Sequence, residues 1–368
     1  ASDVYKRQGE TYTLREEMAP YGYLKAEDVQ FTVNDTADIQ KVSMKDDVPT
    51  GTIIIHKTGE KLVGSKTLPC GATQFIYEQK PLSGVEFELY ALEDIVRPDG
   101  SGEVLIAKDE LVSTVITDFE GKVIVDFLPV GKYYAIETST IEGYVLYKTP
   151  IEFDVSYVDQ NTKVVYCDKT VKNERQKVEI SIVKKDSENN EPLADAEFGL
   201  YTATDIYTAN GQIILKAGSL VETAKSDKDG IAIFKADLPL GTYFVKELSA
   251  PAGYVKSNEV FDINTNDIDA STEVYAVTYE YKNDRIKVDF TKTDITGNHE
   301  IEGAKLSVID KDGKVIETWT SGKEAHRIEL LPVGTYKLRE ESAPYGYRIA
   351  EEVEFKVLET NEVQKVSM

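Results

Sequence analysis

The chain repeats itself, and the repeat limits what it can fold into, because units copied in tandem each need a core of their own or one shared with a neighbour. The segment GTYKLREESAPYGYRIAEEVEFKV from Gly334 recurs as GETYTLREEMAPYGYLKAEDVQFTV from Gly9. Looser copies are GTYFVKELSAPAGYVKSNEVFDI from Gly241 and GKYYAIETSTIEGYVLYKTPIEFDV from Gly131. A second element, PLSGVEFELYA from Pro81, answers PLADAEFGLYT from Pro192 and IEGAKLSVID from Ile301. A third marks junctions: KNERQKVEISIVKKD from Lys172 and KNDRIKVDFTKTD from Lys282. These registers predict a module lacking its start (9–50), two complete modules (51–176 and 177–285), and a module lacking its acceptor end (286–368). The last breaks off at QKVSM where the first continues QKVSMKDD, so the chain reads as truncated inside a repeat at both ends. Residues 1–8 stand apart. Asp3 to Gln8, DVYKRQ, matches the translation of a transposon end used for sequencing libraries and reads as a processing scar.

Within each module short runs of Val, Ile, Tyr and Phe alternate with polar residues and are split by Asp99-Gly100, Asp229-Gly230 and Asp312-Gly313. That is the pattern of strands and hairpin turns, and it predicts an all-β antiparallel sandwich. The DKDG stretches at 227–230 and 310–313 lack the further ligands of a calcium loop, so hairpin turns are the expectation there too. Asp and Glu number 65 against 42 Lys and Arg, a net charge of -23, which argues against nucleic acid and anionic membranes as partners. No apolar run is long enough to span a bilayer. The three histidines, His56, His299 and His326, are scattered, and the two cysteines, Cys70 and Cys167, lack metal-site spacing. No metal or cofactor is expected, and the cysteines can pair or remain free thiols.

Parity carries the chemistry. Residues i, i+2 and i+4 of a strand share a face, so a charged residue in phase with apolar ones is aimed at the core. In the first strands Lys57 is in phase with Ile53 and Ile55, Lys184 with Ile180 and Ile182, and Lys292 with Val288 and Phe290. In a later strand Glu16 follows Tyr12 and Leu14, Glu137 follows Tyr133 and Ala135, Glu247 follows Tyr243 and Val245, and Glu340 follows Tyr336 and Leu338. At the final strand the in-phase residue is Asp46, Asn173 or Asn283.

Burying an unpaired Lys or Glu is costly, and burial lowers a lysine pKa while raising that of a glutamate. A neutral amine is a nucleophile, and a carboxyl group beside it can move protons. If the third group is Asn or Asp, attack on its side-chain carbonyl expels ammonia or water and leaves an amide. The competing reading is a buried ion pair, or strand-end side chains that reach solvent. Recurrence in phase across the modules favours the reactive set.

At these residues the sequence resembles the collagen-adhesin B-type (Cna-B) and SpaA-like pilin domains of Gram-positive surface proteins. YTLREEMAPYGY from Tyr12 and YKLREESAPYGY from Tyr336 are similar to the pilin motif YxLxExxAPxGY, and YFVKELSAPAGY from Tyr243 is close to it. In the module 51–176 Thr140 and Ile141 replace the Ala-Pro pair. The resemblance implies Ig-like sandwiches with spontaneous isopeptide bonds. It assigns Lys57, Lys184 and Lys292 as reactive lysines, Glu16, Glu137, Glu247 and Glu340 as catalytic acids, and Asp46, Asn173 and Asn283 as acceptors. It also implies an extracellular, wall-associated protein, although neither an LPxTG-type sorting motif nor a VYPK-type pilin motif is present.

The expected function is a structural stalk or spacer of a surface adhesin or pilin. Its partners would be neighbouring modules of the same chain, with host surface proteins or glycans as further partners. Few residues separate Asn173 from Val178 or Asn283 from Val288, which predicts semi-rigid linkage. The alternative is a ligand-binding adhesin module, for which non-repeated loops such as Leu62 to Gln79 would have to supply an exposed patch. An enzyme with turnover is not expected, since a Lys-Glu-Asn set is consumed in one reaction. In the terminal modules Glu16 and Asp46 lack a lysine, and Lys292 and Glu340 lack an acceptor.

Overall fold

The computed structural model describes residues 8–297 and 299–368; apart from Gln8, the stretch read as a processing scar lies outside them. Among the described residues every regular element is a β-strand. The chain divides into two compact units. One comprises the residues up to Lys61 with Tyr77–Gln176 and Asp267–Glu273, and the other comprises Leu62–Ile76, Lys177–Asn266 and Val274–Met368.

In the first unit Lys132–Ser139 lies between Ile151–Asp154 and Glu86–Ala91, with Leu111–Ile116 beyond. The facing sheet centres on the long strand Thr50–Thr67, flanked by Val164–Asn173 and by Lys122–Pro129. Alternate residues Ile53, Ile55, Phe87, Leu89, Tyr133, Ala135 and Phe153 meet between the sheets and are fully or almost fully buried. The second unit repeats this arrangement twice. Lys177–Asp186 and Glu197–Thr202 lead opposed four-stranded sheets, and Lys287–Thr291 and Lys305–Asp310 occupy the equivalent places further along.

One pairing departs from the antiparallel expectation. The first and last strands of a module run parallel: Thr50–Thr67 with Val164–Asn173, Lys177–Asp186 with Val274–Arg285, and Lys287–Thr291 with Gln364–Ser367. A parallel pair needs a long crossover, and here nearly the whole module serves as one. Strand alternation cannot reveal that direction.

Each module also fixes a corner with a tyrosine. The hydroxyls of Tyr133, Tyr243 and Tyr336 donate to the carbonyl oxygens of Pro129, Pro239 and Pro332, at 2.5, 2.6 and 2.9 Å. Burial pushes the phenol pKa up at Tyr133 and Tyr336.

The Asp-Gly turns differ in what they connect. At 310–313 the turn closes the hairpin between Lys305–Asp310 and Val315–Thr320, with Asp310 Oδ1 accepting from the Asp312 and Lys314 amides. At 227–230 it instead carries the chain from Leu220–Lys225 in one sheet to Ile231–Phe234 in the other, so the hairpin expectation fails there.

The segment before residue 50 forms only a two-stranded ribbon, Thr11–Leu14 with Val29–Thr32. With no second sheet over it, Leu14 stays 37% exposed. The expected final strand through Val42, Met44 and Asp46 is irregular, because no neighbouring strand supplies a ladder. Leu62 to Gln79, considered above as a loop, is largely strand: Leu62 and Phe75 are buried within Thr50–Thr67 and Thr73–Pro81.

Candidate functional site

Parallel pairing sets the geometry of the buried charges. Lys57 stands opposite Val171 and Gly59 opposite Asn173, so the acceptor is one alternate position beyond the lysine on the same face. Lys184 opposite Tyr281 and Asp186 opposite Asn283 repeat the offset. Glycine turns pin both lysine backbones. The Lys57 amide donates to the Gly121 carbonyl and the Lys184 amide to that of Gly230, both at 2.7 Å. Each glycine has positive φ, and a Cβ on it would come within 2.5 Å of the lysine carbonyl oxygen. Only glycine satisfies both conditions.

Lys57, Glu137 and Asn173 are brought together and shut from solvent. Glu137 Oε2 lies 2.5 Å from Lys57 Nζ, while Glu137 Oε1 accepts from Asn173 Nδ2 at 2.5 Å. The rings of Phe87 and Tyr147 flank the ammonium group at 5.5 and 5.2 Å. Lys184, Glu247 and Asn283 reproduce the set: Nζ to Oε1 is 3.3 Å, and Asn283 Nδ2 donates to Glu247 Oε2 at 2.8 Å. Both lysine pKa values fall below the ordinary value, because burial penalises the ammonium more than the glutamate supports it. Lys57 Nζ and Lys184 Nζ pair with the carboxylates of Glu137 and Glu247, and the two asparagine Oδ1 atoms are buried without a hydrogen-bond partner.

In the last module Lys292 Nζ donates to Glu340 Oε2 at 3.2 Å, and Glu340 Oε1 is buried without a hydrogen bond. Here a side chain replaces the glycine turn, with the Lys292 amide donating to Glu300 Oε2 at 3.0 Å. Met368 bonds Thr291 and Thr293 on either side of Lys292, which sets it opposite Lys292 as Val171 is set opposite Lys57. In the first segment Glu16 is half-buried and Asp46 sits in irregular chain. No hydrogen bond joins the two side chains among the described residues, but the Leu24 amide donates to the Asp47 carbonyl at 2.8 Å, as the Val145 amide does to Glu174 beside Asn173.

One recurrent contact escapes sequence reasoning. Ten residues after each glutamate a backbone N–H donates to its carboxylate: Ala26 to Glu16 at 2.7 Å, Tyr147 to Glu137 at 3.3 Å, Ser257 to Glu247 at 2.6 Å and Ala350 to Glu340 at 2.6 Å. Because the donor is main chain, its residue type varies. The available signal was the fixed spacing across the AP-x-GY turn.

The remaining candidates stay separate. Cys70 and Cys167 are free thiols, and His56, His299 and His326 each face a single carboxylate, of Asp168, Asp294 and Glu317. Among the described residues no group of three His, Cys, Asp or Glu side chains is placed to hold a metal ion.

No curated protein matches the chain in sequence. In structure it is similar to the Bacillus anthracis TIE protein, at 23% identity and a TM-score of 0.57 over 97% of this chain, and it spans 58% of the length of that protein. Weaker similarity links it to BcpA, the major pilin subunit of Bacillus cereus, at 15% identity and a TM-score of 0.41 over 87% of this chain and 98% of that one. A streptococcal ancillary pilin follows at 20% identity and a TM-score of 0.29, over 86% and 98% of the two chains. The model of the SpaA prealbumin-like fold domain matches at residues 76–170, 178–279 and 286–368. Tandem all-β sandwiches and three such matches over most of the chain make it a member of the SpaA prealbumin-like fold domain family.

Proposed function

We propose that the chain is a force-carrying stalk segment of an extracellular, wall-associated adhesin or pilin, stiffened by isopeptide bonds from Lys57 to Asn173 and from Lys184 to Asn283. The observation that carries this reading is the pair of enclosed triads in which one glutamate carboxylate contacts both the lysine Nζ and the asparagine Nδ2, while the asparagine Oδ1 is buried without a hydrogen bond. Unsatisfied buried groups and charges cost on the order of 1–3 kcal/mol each. Amide formation removes the lysine charge without adding another.

The reaction balances within the triad. The neutral lysine amine attacks Cγ of the asparagine, forming the N–C bond. The glutamate takes one proton from Nζ and returns it to Nδ2. The Cγ–Nδ2 bond breaks and ammonia leaves. The lowered lysine pKa supplies the free amine, and the carboxylate that touches both Nζ and Nδ2 spans donor and leaving group. The set is consumed once, so this is maturation and not turnover. In the last module Lys292 and Glu340 are the corresponding donor and proton carrier.

A bond between first and last strands lets tension bypass the strands between them. Single-molecule pulling tests the function: wild type is expected to release no length between Lys184 and Asn283, and Lys184→Ala to release about 35 nm for its roughly hundred residues. The same release in both would refute the stalk reading. The ligand-binding alternative loses its candidate loop, since Leu62 to Gln79 is mostly paired strand.

A further inference from the structure

The two complete modules hold their acceptor amides differently. In both, two acceptors take Nδ2 of the asparagine, which fixes the amide plane and tells nitrogen from oxygen. In the module 177–285 these are Glu247 Oε2 and the backbone carbonyl of Val255, the latter at 2.7 Å. That carbonyl is in place because Tyr254–Val255 forms a short strand against Arg285 and Asp284. In the module 51–176 the equivalent strand shrinks to a single bridge, Tyr144 to Arg175. The second acceptor there is a side chain: Asn173 Nδ2 donates to Thr140 Oγ1 at 2.8 Å. Thr140 occupies the place of Ala250 in the next module and of Ala343 in the last. The hydroxyl thus takes the second Nδ2 bond that a backbone carbonyl takes in the other complete module, although the Val145 amide still donates to the Glu174 carbonyl here.

We propose that Thr140 is a further catalytic residue of the module 51–176, its hydroxyl oxygen holding the leaving nitrogen of Asn173 while Lys57 attacks. This rests on the isopeptide reading of the triad and adds a fourth group to it. The bonds made and broken are unchanged: Nζ to Cγ forms, Cγ to Nδ2 breaks, and Glu137 moves the proton. Thr140 restricts rotation about Cβ–Cγ, so that the carbonyl carbon and not the amide nitrogen is presented to the amine. It releases its hydrogen bond as ammonia departs. The module 177–285, with a main-chain acceptor, needs no such side chain.

The test is bond formation in the full chain, followed by cell-free synthesis and timed acid quench, with mass spectrometry of the Lys57–Asn173 and Lys184–Asn283 linked peptides. Thr140→Val keeps the shape and removes the acceptor, and Thr140→Ser keeps the acceptor. Thr140→Val is expected to slow the Lys57 bond by about tenfold, the effect of one lost hydrogen bond in the transition state. Thr140→Ser should stay near the wild-type rate, and the Lys184 bond should form at the same rate in all three. A wild-type rate in Thr140→Val, or equal slowing by Thr140→Ser, overturns the role of the hydroxyl while leaving the triad intact. Absence of both linked peptides from wild type overturns the isopeptide reading itself, and this inference with it.

Discussion

Asn283→Ala separates the covalent bond from the packing around it. The substitution removes the acceptor but leaves Lys184 beside Glu247 at 3.3 Å, so no buried charge loses its ion-pair partner. Without a bond in the wild type, the loss would be limited to two hydrogen bonds from Nδ2, to Glu247 and Val255, and a small cavity. That amounts to about 2–3 kcal/mol. With the bond, Nδ2 has left as ammonia, so the variant loses instead the one remaining amide N–H, about 1 kcal/mol, with the same small cavity and the closure of the loop from Lys184 to Asn283. By analogy with a disulfide spanning about 100 residues, this constrains the unfolded chain by about 4.7 kcal/mol. The combined loss of about 6 kcal/mol lowers the melting temperature of a module this size by roughly 25 °C, against roughly 10 °C for the unbonded case. Scanning calorimetry of the full chain measures the shift of this module's transition, and intact mass shows whether one ammonia is missing from wild type and regained in Asn283→Ala. A wild type lacking the ammonia yet melting within about 10 °C of the variant would refute the loop-closure argument. A wild type of full mass would refute the bond.

Two pH effects follow from the buried groups. Lys57 and Lys184 sit below the ordinary lysine value of 10.5, so bond formation should accelerate with rising pH and level off before 10.5, as read by timed mass spectrometry. In Asn173→Ala, where Lys57 stays a free amine, the native state binds fewer protons than the unfolded chain across that window, so stability should rise with pH there; a flat profile would contradict the burial effect. Asp186 lies at the junction of the modules 177–285 and 286–368. Burial alone would push its pKa up, but hydrogen bonds from Arg285 Nε at 2.7 Å, the Glu188 amide and the Tyr254 hydroxyl outweigh burial and hold it below the ordinary carboxylate value of 3.8. Its contribution is present above 3.8 and is lost as pH falls through the lower folded value. Asp186→Asn should cost on the order of 2 kcal/mol at neutral pH and flatten the acid limb of a urea stability profile, whereas an unchanged limb would show that Asp186 does not set it.

The sequence by itself determined the repeat, the all-β class and the buried face of each strand, because alternation of side chains is a local property of the extended backbone. Ile53, Ile55 and Lys57 point to one side wherever the strand packs, and the same holds for Tyr133, Ala135 and Glu137. Tertiary structure decided which strands became neighbours. That Thr50–Thr67 runs parallel to Val164–Asn173, with the acceptor one alternate position past the lysine, follows from a crossover of about a hundred residues that no local pattern encodes. It also decided how far local phase leads to burial: Glu16 and Asp46 carry the motif, yet beside a two-stranded ribbon both stay half-buried. The backbone donors to the glutamates and the Thr140 hydroxyl on Asn173 belong to the same class. They depend on where a turn lands in space, which residue type alone does not specify.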